Sequence, residues 1–157
     1  MEESNDGSDQ LMIAIFSIGE TKLGLDAGLV DEITIPPKIT AVRGAMEWVV
    51  GIGNLRNRII TILDLGLRLG LGQTPRDARS RIVTTTVGGD FIGLLIPELP
   101  DVVQVDRARV GPIGNEVAAD IREFFMGVLD FEDRMVPIVD AARALGPAVA
   151  AQEDERR

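Results

Sequence analysis

The sequence predicts an all-β protein made of two small β-barrels packed against each other, with only a few short helices. Three observations predict it. Apolar runs rich in β-branched residues are short and are broken by turn residues at Gly19, Pro36-Pro37 and Gly88-Gly89, the punctuation of many brief strands. Helical patterns are rare and brief. The chain also repeats itself, and no gap is needed to see it. Laying the segment from Gly127 to Gly146 on the residues 76 positions earlier puts Gly127 on Gly51, Val128 on Ile52, Arg134 on Arg58, Ile138 on Ile62, Asp140 on Asp64 and Gly146 on Gly70. A second echo, at an offset of 69, lays Leu23-Gly24-Leu25 on Ile92-Gly93-Leu94 and Val30, Glu32 and Ile33 on Leu99, Asp101 and Val102. Two collinear matches in one order indicate two similar halves of about 70 residues each.

Met1 to Gln10 is acidic and polar. Such a segment cannot bury enough apolar area to offset its ordering entropy, so a disordered tail over 1–10 is expected. Asp6, Ser8 and Asp9 lack the ligand spacing and closing Glu of a calcium loop. Leu11 to Ile18 reads as the first strand and Leu23 to Leu25 as the second, joined through Gly19-Glu20-Thr21. After a turn at Asp26 to Leu29, Val30 to Ile35 reads as a third strand with charge and apolar groups on both faces, which suits a sheet edge or a partner surface. Pro36-Pro37 ends it, since neither can donate a ladder hydrogen bond. An irregular connection then leads to Trp48, the single Trp of the chain, expected as a core or inter-unit packing residue.

From Trp48 to Leu63 two apolar runs flank a polar break at Asn54 to Arg58, the pattern of a hairpin. Asn57 suits the tight turn because Asn tolerates positive φ, and Arg56 and Arg58 would stand near the tip. Asp64 then caps a short helical turn that Gly70 ends. Residues 71–80 form a linker between the halves. Arg81 to Val87 and Phe91 to Ile96 make a second hairpin around Gly88-Gly89-Asp90. The strand from Glu98 to Val105 contains Pro100, which places it at an edge. A loop from Asp106 to Glu116 and a partly helical Val117 to Phe125 precede the second copy of the central hairpin. The main body thus spans 11–146, and an alanine-rich, then charged, flexible tail is expected over 147–157.

Composition narrows the function. The chain has no His, Cys or Tyr, which removes the commonest general base, the thiol nucleophile and the phenolic acid together. None of its four serines sits in a G-x-S-x-G turn, and Gly51-Ile52-Gly53 lacks the third Gly and following helix of a dinucleotide loop. Asp64 and Asp140 form a repeat-related carboxylate pair, but both stand where a helix N-cap is expected, and capping is favoured over acid–base work. The net charge of −9 disfavours nucleic acid, and no basic stripe with interleaved aromatics offsets it. No apolar run is long enough to span a bilayer, so no direct membrane insertion is expected. No metal or cofactor is expected.

The segment from Val50 to Leu65, V-G-I-G-N-L-R-N-R-I-I-T-I-L-D-L, resembles the V-x-N-L-R-G hairpin followed by V-P-V-x-D-L of the CheW-like domain family. Val30-Asp31-Glu32-Ile33 is similar to that family's V-x-E-I, and an F-x-x-G-V-x-x-x-x-D-R-x-V-x-x-x-D pattern runs from Phe124 to Asp140. The resemblance implies two SH3-like five-stranded subdomains and no catalysis. It implies a cytoplasmic adaptor, recruited to membrane-associated receptor arrays, that couples the cytoplasmic tips of methyl-accepting chemoreceptors to the regulatory domain of a CheA-type histidine kinase. By position it assigns partner contacts to Val30, Glu32, Ile33, Gly51, Arg56 and Leu99, around an apolar groove between subdomains. Asn57 stands where the family commonly has Gly and Thr61 where it has Pro, and Pro97 and Pro100 interrupt the second-half counterpart of the early strand. These departures keep open a chemosensory pathway other than flagellar swimming. A small-molecule sensor and an Asp64–Asp140 hydrolase are the alternatives from other classes.

Overall fold

The computed structural model describes residues 9–145. The tail expected over 147–157 and most of that expected over 1–10 lie outside them. Gln10, expected in the tail, instead opens the first strand, opposite Asp106. Strands β1 (Gln10–Ile18), β2 (Thr21–Asp26), β3 (Glu32–Thr34), β4 (Val49–Leu55) and β5 (Arg58–Asp64) lead to a single-turn helix α1 (Leu65–Arg68). After the linker come β6 (Arg81–Val87), β7 (Asp90–Ile96), β8 (Asp101–Asp106), β9 (Val110–Gly111), β10 (Phe125–Phe131) and β11 (Arg134–Val139), and residues 141–145 form a second helical turn. The third strand is shorter than expected, and the expected loop after β8 contains the two-residue β9, which pairs with β10. The expected helical character before Phe125 is a 3₁₀ segment, Ala119–Phe124.

The strands form two sheets, one in the order β8-β1-β2-β11-β10-β9 and the other β3-β6-β7-β5-β4. Setting aside the two-residue β9, the orders are the same once the second half is laid on the first. Hairpin β1–β2 corresponds to β6–β7, β3 to β8, and hairpin β4–β5 to β10–β11. Each sheet holds one parallel pairing at the same register: Gly24 and Leu25 lie opposite Ile138 and Val139, and their counterparts Gly93 and Leu94 lie opposite Ile62 and Leu63. The bulges also coincide, at Val49/Gly51 and Phe125/Gly127.

The split expected near 71–80 needs correction, because the sequence halves are not the two barrels. The linker carries the chain from β5 into the β6–β7 hairpin, and β7 then pairs with β5 in the same sheet. Each half therefore gives its first hairpin to one barrel and its third strand and second hairpin to the other. Exchange gives each sheet its parallel pairing, which needs a long crossover and cannot be made by hairpins alone.

Each sheet wraps its own apolar cluster. Ile60, Ile62, Ile82 and Leu95 fill the five-stranded barrel, and Ile13, Leu129, Val136 and Ile138 the other. A third, larger cluster is shared, drawing Phe16 and Leu23 from one sheet, Leu63 and Leu94 from the other, and Leu65, Leu69, Ala144 and Leu145 from the helical turns. Burying the apolar faces of both barrels in one cluster makes the pair a single packed unit.

Candidate partner-binding site

Glu32 begins the edge strand β3, and Arg56 stands at the tip of the β4–β5 hairpin, whose β4 is the opposite edge of the same sheet. The tip is a two-residue turn in which both Arg56 (φ 54°) and Asn57 (φ 64°) are left-handed, as a type I′ turn requires. That conformation carries Arg56 back over the sheet edge. Its Nε donates to Glu32 Oε1 at 2.8 Å and its Nη2 to Oε2 at 2.5 Å, a bidentate pairing that fixes the plane of the guanidinium. The pair ties the two edges of the sheet together and helps close the barrel. The hydrogen bond from Arg56 holds the Glu32 carboxyl below its ordinary range, against a smaller opposing effect of burial and with help from the guanidinium charge. The same contact raises the Arg56 pKa.

Val30 and Leu99, repeat counterparts, sit where the chain crosses between barrels, just before β3 and just before β8. Val30 is half-buried against the shared cluster, as is Ile33, whereas Leu99 is 63% exposed. Glu32 and Arg56 are thus brought into direct contact, while Leu99 belongs to the approach to the other sheet's edge. Gly51 needs correction as a contact residue. It is buried, and a Cβ there would lie 2.3 Å from the Thr40 carbonyl oxygen. Its role is to let β4 bulge beneath residue 40.

The expected sites omit an apolar surface on the same barrel. Ile35, directly after β3, is 66% exposed and Ile59, directly after the hairpin tip, 61%. A groove of about 330 Å³ runs past Ile35, Pro36, Ile39 and Arg76, and another of about 360 Å³ past Lys38, Thr40, Ile52, Asn54 and Ile59. The signal was present in the sequence. Ile60 and Ile62 take the inward face of β5, so the pleat sends Ile59 outward although it is as apolar as they are. Arg58, also expected near the tip, lies over the Phe91 ring at 4.0 Å.

The other candidate chemistries find little support. Asp64 is fully buried, where its carboxylate accepts from the Leu67 amide at 3.1 Å, the Thr74 hydroxyl at 2.6 Å and the Thr74 amide at 3.0 Å. Asp140 caps the turn after β11 through the Arg143 amide at 3.2 Å. Both carboxylates do the capping expected of them. A cavity between the two sequence halves, at the end of α1 and lined by Leu23, Leu69, Val117 and Phe125 among others, holds about 200 Å³, below the usual range of small-molecule sites. Among the described residues no cluster of acids suits a metal ion, and no helix is long and apolar enough to cross a membrane.

A CheW-like domain model matches residues 13–148. The chain is 29% identical over 133 residues to a probable chemotaxis protein CheW of Rhizobium etli, covering 84% of each. It is 32% identical over 72 residues to Protein PilI of Pseudomonas aeruginosa, 46% of this chain and 40% of that one. Its structure superposes on the crystal structure of the scaffolding protein TtCheW from Thermoanaerobacter tengcongensis with a TM-score of 0.77 at 28% identity, covering 86% and 87% of the two chains. The paired barrels, the hairpin with its paired arginine and a family match over nearly all the described residues agree: the chain belongs to the CheW-like domain family, the non-catalytic scaffolding adaptors of chemotaxis.

Proposed function

We propose that this adaptor couples the cytoplasmic tips of chemoreceptors to the regulatory domain of a CheA-type histidine kinase, working in the cytoplasm at receptor arrays. The observation that carries the reading is the Arg56–Glu32 pair set beside exposed Ile35 and Ile59. A guanidinium fixed by one carboxylate retains donors for a second acceptor, and exposed isoleucines next to it supply the apolar area that a protein partner buries. Val30 and Ile33, half-buried against the shared cluster, and Leu99, exposed at the second crossover, are proposed as further contacts. Pull-down of a receptor tip and of a kinase regulatory domain, each by the purified chain and by Arg56→Glu, tests the proposal. Capture by the parent and loss in the variant are expected. Undiminished capture of both by a folded variant would remove Arg56 from the contact surface.

A further inference from the structure

Arg68, in the last turn of α1, lies where the two repeats meet. Its Nε donates at 2.7 Å to the carbonyl of Ala144, the residue 76 positions later and so its own repeat counterpart. Residues related by a two-fold axis touch each other only on that axis, and this contact marks where the internal pseudo-dyad runs. The guanidinium carbon is 4.7 Å from the ring centre of Trp48 and 4.3 Å from that of Phe124. Those two residues are also 76 apart and are equivalents, for Trp48 accepts from the Asp64 amide at 2.7 Å as Phe124 accepts from the Asp140 amide at 2.8 Å. One cation therefore contacts one aromatic ring from each repeat and the backbone of the opposite helical turn.

We propose that Arg68 is the keystone that fixes the orientation of one barrel against the other, and that its place on the pseudo-dyad is interchangeable with position 144. Only one of two symmetry-related side chains fits on an axis. Two guanidinium groups there would face each other as like charges, and the counterpart is Ala144, small and fully buried. A planar cation also satisfies two rings at once, since both present their electron-rich faces to it. Burial lowers the Arg68 pKa and the charge of Glu123 opposes that, so the group is partly desolvated, where cation–π attraction is stronger. The cluster inside each barrel does not include this contact, whereas the shared cluster holds Phe124 and abuts Trp48, so the contact bears on how the barrels meet and not on their own cores.

The test uses the full chain in three forms: parent, Arg68→Ala, and Arg68→Ala combined with Ala144→Arg. Residual dipolar couplings are fitted separately for core amides of each barrel, and the emission of Trp48, the sole tryptophan, reports the ring environment. In Arg68→Ala each barrel's couplings still fit its own structure, the two alignment frames rotate apart, the Trp48 emission shifts, and amides in 65–69 exchange about tenfold faster. In the double variant the frames and emission return toward the parent's. Coincident frames in folded Arg68→Ala would overturn the keystone role. A double variant that does not recover, or does not fold, would overturn the interchange of positions while leaving the first result to judge the keystone alone.

Discussion

Asp64 and Asp140, 76 positions apart, cap the same turn in the two repeats, yet one is sealed and the other is not. Asp64 is fully buried and also holds Thr74, pinning the linker to the end of β5. The Asp140 side chain is 26% exposed and shares a 3.6 Å ion pair with Arg143. Asp64→Ala is expected to destabilise by about 3 kcal/mol or more, since it removes a cap and two further charge-assisted hydrogen bonds and strands buried donors. Asp140→Ala is expected to lose about 1 kcal/mol, the usual value of a cap. Urea unfolding of both variants measures the difference.

The Arg56–Glu32 pair links pH to stability in one direction. The folded-state pKa of Glu32 lies below its unfolded value, so its contribution is complete above the ordinary glutamate range and is lost as pH falls through the depressed value. Both groups touch solvent, and salt is expected to weaken the contribution. Following the Glu32 carboxyl carbon by NMR during acid titration, at low and high salt, checks sign and screening together.

Exchanging the charges separates fold from contact. Glu32→Arg combined with Arg56→Glu rebuilds an ion pair of opposite polarity, so the melting temperature lost in Arg56→Glu alone is expected to recover in part. Partner capture is not expected to recover, because the partner then meets a carboxylate at the hairpin tip. Recovery of both would show that the partner reads the hairpin's pose and not the guanidinium.

Gly51 and Gly127 occupy equivalent bulges, each beneath a backbone carbonyl. A Cβ would lie 2.3 Å from that of Thr40 in one and 2.6 Å from that of Gly111 in the other. Gly51→Ala and Gly127→Ala are each expected to cost about 1–3 kcal/mol through forced backbone displacement, measured by thermal or urea unfolding. Equal stability in either variant would contradict the bulge geometry.

The second hairpin turns through Glu132 (φ 50°) and Asp133 (φ 63°), both left-handed. Asn and Gly suit these two positions best. Glu132→Asn with Asp133→Gly is expected to stabilise the chain by about 1 kcal/mol, visible as a raised urea midpoint with an unchanged slope.

Local chemistry made much of this fold legible. Asn57 announced a left-handed turn and Asp64 and Asp140 announced caps, while the Gly51/Gly127 correspondence showed the repeat but not the bulges that those glycines permit. The exchange of hairpins was not legible, because nothing in β6 or β7 specifies whether the strand beside it comes from its own half or the other. Parallel neighbours at Ile62–Gly93 and Ile138–Gly24 are long-range choices that local pattern does not encode. In the site, the family resemblance names Glu32 and Arg56 as contacts without pairing them, and it names Gly51, which the structure buries beneath the Thr40 carbonyl, because a motif marks a required residue without saying whether sterics or contact requires it. Ile59 was missed because an apolar residue in a strand reads as core until its pleat direction is known, and Ile35 because only the structure ends β3 at Thr34 and leaves the next side chain exposed.

The hairpin exchange has a bearing on ancestry. One repeat alone has no partner for its parallel edge, but two identical copies crossing over would build the whole object as a swapped homodimer. Fusing them would free positions 68 and 144 to differ, so an axis that had to carry the same residue twice could come to hold one large side chain facing one small one. Nicking the chain at an exposed position within 71–80 should leave its two fragments associated, because each sheet takes strands from both.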